Sequence, residues 1–282
     1  MRADRLLVER GFFESRARAQ AAIAAGLVSA DGRRVRKASD ELAEDAMIEA
    51  APEHPYVSRG ALKLAAALAH FGFDPKGQVC LDIGASTGGF SEVLLERGAR
   101  LVYAVDVGAG QLHPRLRAHP RIVSLEATDI RKLAPAQLAE PPTFFTIDVS
   151  FISLKHVLPK VTELLVTKDS SPPGRGRSAA RPPGGGQSIG QKHHASLDPL
   201  PNPPPCRGRE QPLLIALIKP QFEAGRARLK KGVVRDEAVH RAVCEDIAAF
   251  AASLGWQVEG VIPSPIAGGE GNREFLMGAR RG

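Results

Sequence analysis

Lys219 follows six apolar residues, Leu213 to Ile218, and a proline comes directly after it. A strand end commonly reaches water, and a lysine there is ordinarily solvated. Three further charges change that reading. Asp148 ends the apolar run "TFFTI", Glu274 opens "EFLMGA", and Lys63 sits in "SRGALKL". Two amines and two carboxylates held together could move a proton and stabilise a developing negative charge.

A glycine loop lies upstream of three of them. "QVCLDIGASTGGFSEVLLERGA" reads as a strand from Gln78 to Ile83, a loop over Gly84, Ala85, Ser86, Thr87, Gly88 and Gly89, and a helix from Phe90 to Arg97. Glycines at the carboxyl end of a parallel strand let the backbone approach a ligand. The spacing departs from GxGxxG, which weakens a dinucleotide site. Asp106 ends the next apolar run, about 20 residues after the loop, where an acid can accept from ribose hydroxyls. Asp129 follows the run after that and has a helix cap as its alternative role.

The elements that must carry these residues alternate. Helix 58–71, strand 78–83, helix 88–97, strands 100–105, 121–126 and 143–147, helix 152–166, strand 213–218, helix 236–254 and strands 256–262 and 273–279 predict an α/β doubly wound, mostly parallel seven-stranded sheet. The short loop "PSPIAGGEGN" makes the last strand antiparallel. Ligands of such sheets bind outside the carboxyl strand ends. That edge is where Asp148, Lys219 and Glu274 fall, with Lys63 on the entering helix.

A small α+β module precedes the sheet. Residues 1–37 hold nine Lys/Arg and four Asp/Glu, whereas 38–58 hold six Asp/Glu and no Lys/Arg. Two helices stopping at Gly11 and Gly26 are expected, the second capped by Ser15, then a hairpin around Asp31-Gly32. Arg16, Arg18, Arg33, Arg34, Arg36 and Lys37 form a candidate cationic surface for phosphates.

These phrases carry resemblances. "DRLLVERGFFESRARAQAAIAAGLVSADGRRVRKAS" resembles an S4 RNA-binding domain, with Arg5, Ser15, Arg16, Gly26, Gly32 and Lys37 on its pattern. "DIGASTGGF" resembles motif I of class I S-adenosylmethionine-dependent methyltransferases. Together with "SRGALKL", "VDVGAGQL", "DVSFISL", "LIKPQFE" and "GNREFL", the chain is similar to the TlyA (haemolysin A-like) branch of the FtsJ-like ribose 2′-O-methyltransferases. The resemblance implies an S4 domain over residues 1–53, a linker over 54–57 and an FtsJ-like domain over 58–282. It implies S-adenosyl-L-methionine as cofactor, held by Asp82, Gly84, Ala85, Ser86, Thr87, Gly88, Gly89, Phe90, Asp106 and Asp129. Asp129 would meet the adenine amino group. The implied partner is ribosomal RNA in its subunits, met by the S4 cations and Arg59, with cytidine the expected nucleoside.

The implied tetrad is Lys63, Asp148, Lys219 and Glu274. Lys219 would act as base or as the cation beside the alkoxide. Lys63 and Asp148 would orient the hydroxyl and Lys219, and Glu274 would hold the second lysine. An apolar strand and a second lysine favour a neutral amine at residue 219, whereas two carboxylates favour the ammonium. No metal is needed, because a sulfonium is already an activated leaving group.

Composition bounds the alternatives. The chain has 282 residues, 43% of them hydrophobic, and a formal net charge of +7, which suits a polyanionic partner. Its three cysteines, Cys80, Cys206 and Cys244, form no CxxC pair, so neither a disulfide framework nor a zinc site is expected and a reducing cytoplasm is. No apolar run approaches about 18 residues, so no membrane span is expected, and a monomer is. Residues 168–211 hold nine of the 22 prolines and no hydrophobic period, and read as a disordered insert. Three other functions remain open at this point: a membrane-active haemolysin, a catalytically silent ribosome assembly factor, and a base methyltransferase.

Overall fold

The computed structural model describes residues 1–52, 54–166, 211–225, 229 and 232–282. Nearly all of the expected insert lies outside the described residues. Among the described residues, no helix is long and apolar enough to cross a membrane.

The N-terminal unit contains α1 (Ala3–Glu9), α2 (Arg16–Ala25), β1 (Val28–Ala30), β2 (Arg33–Arg34) and β3 (Ile48–Ala50). β1 is central and antiparallel to both neighbours. Ser15 caps α2 by accepting from the Arg18 amide, and Gly26 ends it in the left-handed region. Leu7, Phe13, Ile23 and Val28 close a small separate core. The third strand was not expected: "MIEA" is too short to show an alternating pattern.

The larger unit follows the expected order: α3 (Ala61–Phe71), β4 (Val79–Ile83), α4 (Gly89–Glu96), β5 (Leu101–Val105), α5 (Pro114–Arg117), β6 (Ile122–Leu125), β7 (Phe144–Ile147), α6 (Leu158–Val166), β8 (Leu213–Ile218), α7 (Pro220–Glu223), α8 (Glu237–Ser253), β9 (Gln257–Pro263) and β10 (Phe275–Arg280). The sheet order is β6-β5-β4-β7-β8-β10-β9, with β10 antiparallel to both neighbours. Successive residues of β8 alternate between two cores: Leu214, Ala216 and Ile218 face one, Leu213, Ile215 and Leu217 the other. A strand buried on both faces reads as unbroken apolar sequence, which is why "LLIALI" has no polar interruption. β4 has β5 on one side and β7 on the other, so the strand order reverses there. The crevice at that switch point is where α/β sheets bind ligands.

Two boundaries differ from expectation. α3 begins at Ala61, because residues 58–60 form a turn against the glycine loop. The expected helix 152–166 divides into a 3₁₀ turn, Leu154–His156, and α6. Pro159 lacks an N–H, so an α-helix containing it must start next to it. Pro114 and Pro220 each open a one-turn helix by the same rule, and both helices were missed.

Candidate active site

The four expected charges occur as two ion pairs. Lys63 lies in the first turn of α3, 8% exposed, with its Nζ 2.5 Å from Glu274 Oε2. Lys219 follows β8, also 8% exposed, with its Nζ 2.6 Å from Asp148 Oδ1 and donating to Ser150 Oγ at 2.9 Å. The ladder joins the pairs. Phe275 lies opposite Ile218, so the residue before it, Glu274, continues the register toward Lys219. A lysine in the first turn of a helix meets the positive end of the macrodipole. Burial adds to that cost, and the Glu274 carboxylate offsets both.

The glycine loop is built against the same edge. Gly84 has φ +83°, and a Cβ there would stand 2.3 Å from the Asp148 carbonyl oxygen. Only glycine lets the ends of β4 and β7 touch in this way. At Gly89 a Cβ would stand 2.2 Å from Ser58 Oγ and 3.1 Å from the Ala61 amide nitrogen. The start of the lysine-bearing helix therefore rests on the loop. One wall thus serves both the loop and the ion pairs.

Among the expected cofactor residues, Ser86 and Thr87 are exposed on the loop, while Ala85, Gly88, Gly89 and Phe90 are buried in its base. Asp106 accepts from the Ser86 amide at 2.8 Å and the Gly108 amide at 2.7 Å, so it organises the loop. A carboxylate has about four acceptor sites, which leaves capacity for ligand hydroxyls. Val107, next to it, is an exposed apolar side chain.

Two of the expected cofactor residues have partners within the protein. Asp82 is 0% exposed and accepts from the Ser91 hydroxyl at 2.7 Å and the Thr146 hydroxyl at 2.9 Å. It holds the loop from beneath. Asp129 caps the 3₁₀ turn Ile130–Lys132 and pairs with the Arg131 guanidinium. An adenine contact there would have to displace that guanidinium.

Burial pushes the Asp82 carboxyl up to about 6, against the pull of its two hydroxyl donors. A raised carboxyl favours the folded state while protonated, so this contribution is full below about pH 4 and is lost as pH rises through about 6. The difference is about 3 kcal/mol. Asp82→Asn keeps the shape without the charge. Urea denaturation should show it gaining on the parent at pH 8 by most of that amount, and hardly at all at pH 4. Equal differences at the two pH values would mean that burial of charge is not what costs stability here.

Two of the expected cations of the small unit also have partners within the protein. Arg16 pairs at 2.7 Å with Asp4, which is fully buried and also accepts from Gln20 and Arg2. These donors hold its carboxyl well below the usual range. Arg16 therefore pins α2 to α1. Arg18 donates to the carbonyls of Tyr56 at 3.0 Å and His54 at 3.5 Å, and so ties α2 to the connecting segment. Arg33, Arg34 and Arg36, with Ile23 and Ala24, line a concavity of about 760 Å³. Arg5, Lys37 and Arg59 are exposed.

Sequence reasoning missed Phe151, which is 91% exposed with φ 64° and packs its ring 5.0 Å from Phe222. A bulky residue in the left-handed region is a strained exception. It stands three residues beyond Asp148, so an aromatic face is presented at the site's mouth. In "DVSFIS" it reads as one more apolar residue, and a phenylalanine does not announce a positive φ.

The FtsJ-like methyltransferase profile matches residues 56–281, and the S4 profile matches residues 1–48. The 16S/23S rRNA (cytidine-2′-O)-methyltransferase TlyA of Mycobacterium tuberculosis is 36% identical, over 99% of this chain and 89% of its own. The chain belongs to the TlyA branch of the FtsJ-like methyltransferases. Hemolysin A of Brachyspira hyodysenteriae, at 32% identity over 98% of both chains, is a further relative. The solved structure of a provisionally named hemolysin from Streptococcus thermophilus aligns with all of this chain and 88% of its own, at a TM-score of 0.68 and 36% identity.

FtsJ-like methyltransferases use S-adenosylmethionine, and the site fits it. The exposed Ser86-Thr87 turn suits a polar chain, Asp106 retains acceptor sites for ribose hydroxyls, and Val107 offers an apolar face for a base. Sheet, topology and S4 unit are those expected of the family.

Proposed function

We propose that this protein methylates the ribose 2′-hydroxyl of ribosomal RNA, with cytidine as the nucleoside, acting as a cytoplasmic monomer whose S4 domain holds structured RNA. The observation that carries this reading is the placement of two Lys–carboxylate pairs, both with buried lysines, on the wall shared with the glycine loop. A ribose hydroxyl is a weak nucleophile, and two amines beside it suit oxygen chemistry better than attack by a base nitrogen. The names and full-length similarity of the rRNA-modifying relatives support the substrate class.

S-adenosylmethionine, when bound, supplies a methyl group already activated by a sulfonium. The protein's own residues do the rest. Lys219 faces the hydroxyl, either taking its proton or lying as a cation beside the growing negative charge on oxygen. Asp148 holds Lys219 in place. Glu274 holds Lys63, which orients the hydroxyl from the other side. Positioning of this kind supplies much of the rate in such a displacement, and electrostatic stabilisation of the oxyanion adds more. Phe151 offers its ring to the base of the target nucleotide, since aromatic stacking accepts an unstacked base at about 1–3 kcal/mol.

The test is mass spectrometry of nucleoside digests after incubation with S-adenosylmethionine and each purified ribosomal subunit. 2′-O-Methylcytidine is expected. A methyl group on the base would overturn the reading, and so would no methylation of RNA combined with leakage from liposomes.

Arg33, Arg34 and Arg36 supply the phosphate contacts on this reading. Arg33→Glu with Arg36→Glu should weaken RNA binding at every sequence. The slope of log affinity against log salt should fall by about 0.7–0.9 per lost contact. Calorimetric donor affinity should stay unchanged. An unaltered salt slope would remove this concavity from the RNA surface.

A further inference from the structure

Lys219 has to meet its substrate with one defined face, and the loop after β7 is built to ensure it. Asp148 Oδ1 and Ser150 Oγ lie against Nζ at 2.6 Å and 2.9 Å. Nitrogen bonded to the lysine chain has three remaining positions. In the ammonium all three are hydrogens; in the amine two are hydrogens and one is a lone pair. The hydrogen bond to Ser150 takes one of these positions and the ion-pair contact with Asp148 covers a second direction, which leaves one side open to the substrate in either state. In the first case it is an N–H that donates to the oxygen, and in the second a lone pair that accepts the hydroxyl proton. With Asp148 alone, Nζ could turn about its own bond and present any of several directions.

The loop that carries Ser150 is itself held. Residue 151 is in the left-handed region at φ 64°. Glu223, in the helix that starts at Pro220, accepts from the Ser153 hydroxyl at 2.5 Å and the Leu154 amide at 2.8 Å. Phe151 packs on Phe222 of the same helix. The loop bearing Ser150 is thus fastened at two points to the segment that follows Lys219. Loop and lysine are thereby joined through that segment. Ser150 itself is exposed, and its hydroxyl oxygen accepts from Nζ.

We infer that Ser150 is a positioning residue for Lys219, fixing the direction in which its amino group meets the nucleophile. This rests on the reading that Lys219 serves the ribose hydroxyl.

Ser150→Ala and Ser150→Thr test it, with Lys219→Ala run alongside. Ser150→Ala should lower the single-turnover rate about 10- to 100-fold, the range for one hydrogen bond to a charged group. Dissociation constants for S-adenosylmethionine and RNA should stay within about twofold, which also shows that the variant is folded. Ser150→Thr restores the hydroxyl and should return most of the rate. A fully active Ser150→Ala would overturn the inference. So would a loss that threonine does not repair, or a loss explained by weaker binding. Lys219→Ala separates this from the reading beneath it. If Lys219→Ala is inactive while Ser150→Ala is active, only the role of Ser150 falls; if Lys219→Ala is active, the proposed chemistry falls first.

Discussion

Replacing Lys219 by alanine should abolish methyl transfer while leaving donor and RNA affinity in place. Single-turnover rates are expected to fall at least about 100-fold, the lower range for losing an acid–base group. A surface lysine would give a different result, usually a change of no more than about 0.5 kcal/mol in stability and none in rate. Lys219 is not such a residue: its strand is buried on both faces and its amine is paired with Asp148. Lys219→Arg divides the two chemical roles. A guanidinium keeps the charge but cannot act as a base near neutral pH. An inactive arginine variant points to proton transfer through the amine. Recovery of most activity would make Lys219 an electrostatic clamp, with the proton leaving by another route. Full activity in the alanine variant would reduce Lys219 to an ordinary strand-end lysine.

The second large effect concerns stability. Glu274→Ala should destabilise the catalytic unit by about 3–5 kcal/mol, because it leaves the Lys63 ammonium buried without its partner. For a unit of this size that amounts to roughly 6–20 °C in Tm. Lys63→Met with Glu274→Leu should recover much of the loss, since replacing a buried pair by apolar side chains of similar volume is often neutral or better. The double variant should fold well, bind S-adenosylmethionine and transfer no methyl group. Thermal melts and donor calorimetry on the three proteins check this together. If the double variant is as unstable as the single one, packing around residues 63 and 274 is what matters and not their charge.

The sequence and the structure agree most closely where burial dictates residue type. β8 falls at 213–218 as expected, because a strand enclosed on both faces admits no polar residue. The antiparallel β10 follows from a loop too short for a crossover. The glycine loop was legible too, although the reason for Gly84 was not. Its role is to avoid the Asp148 carbonyl, a contact made by a chain segment more than 60 residues away. The partners of Arg16 and Arg18 were hidden for the same reason. A cationic stretch shows how much charge is present, whereas the buried Asp4 and two carbonyls decide where two of those charges go. Asp129 shows the limit of strand-tip logic, since the same acid can cap a turn or meet a ligand, and its pairing with the neighbouring Arg131 is not announced by its place at a strand tip. Phe151 depends on a backbone angle that side-chain chemistry does not encode.

The segment between the two units has a practical consequence. Tyr56 and Val57 pack against the core of the catalytic sheet, and the Val57 amide donates to Glu92 at 2.6 Å. Glu92 is buried in the helix that leaves the glycine loop, and its other partner is Arg115. The match to the catalytic family likewise begins at residue 56. Residues 56 and 57 are thus the first stones of the catalytic unit and not a hinge before it. Anyone dividing the protein for separate expression should cut before them. A fragment opening at Ser58 would strip Glu92 of an amide it was buried to receive, and would report a weakened methyltransferase where the fault lay in the scissors.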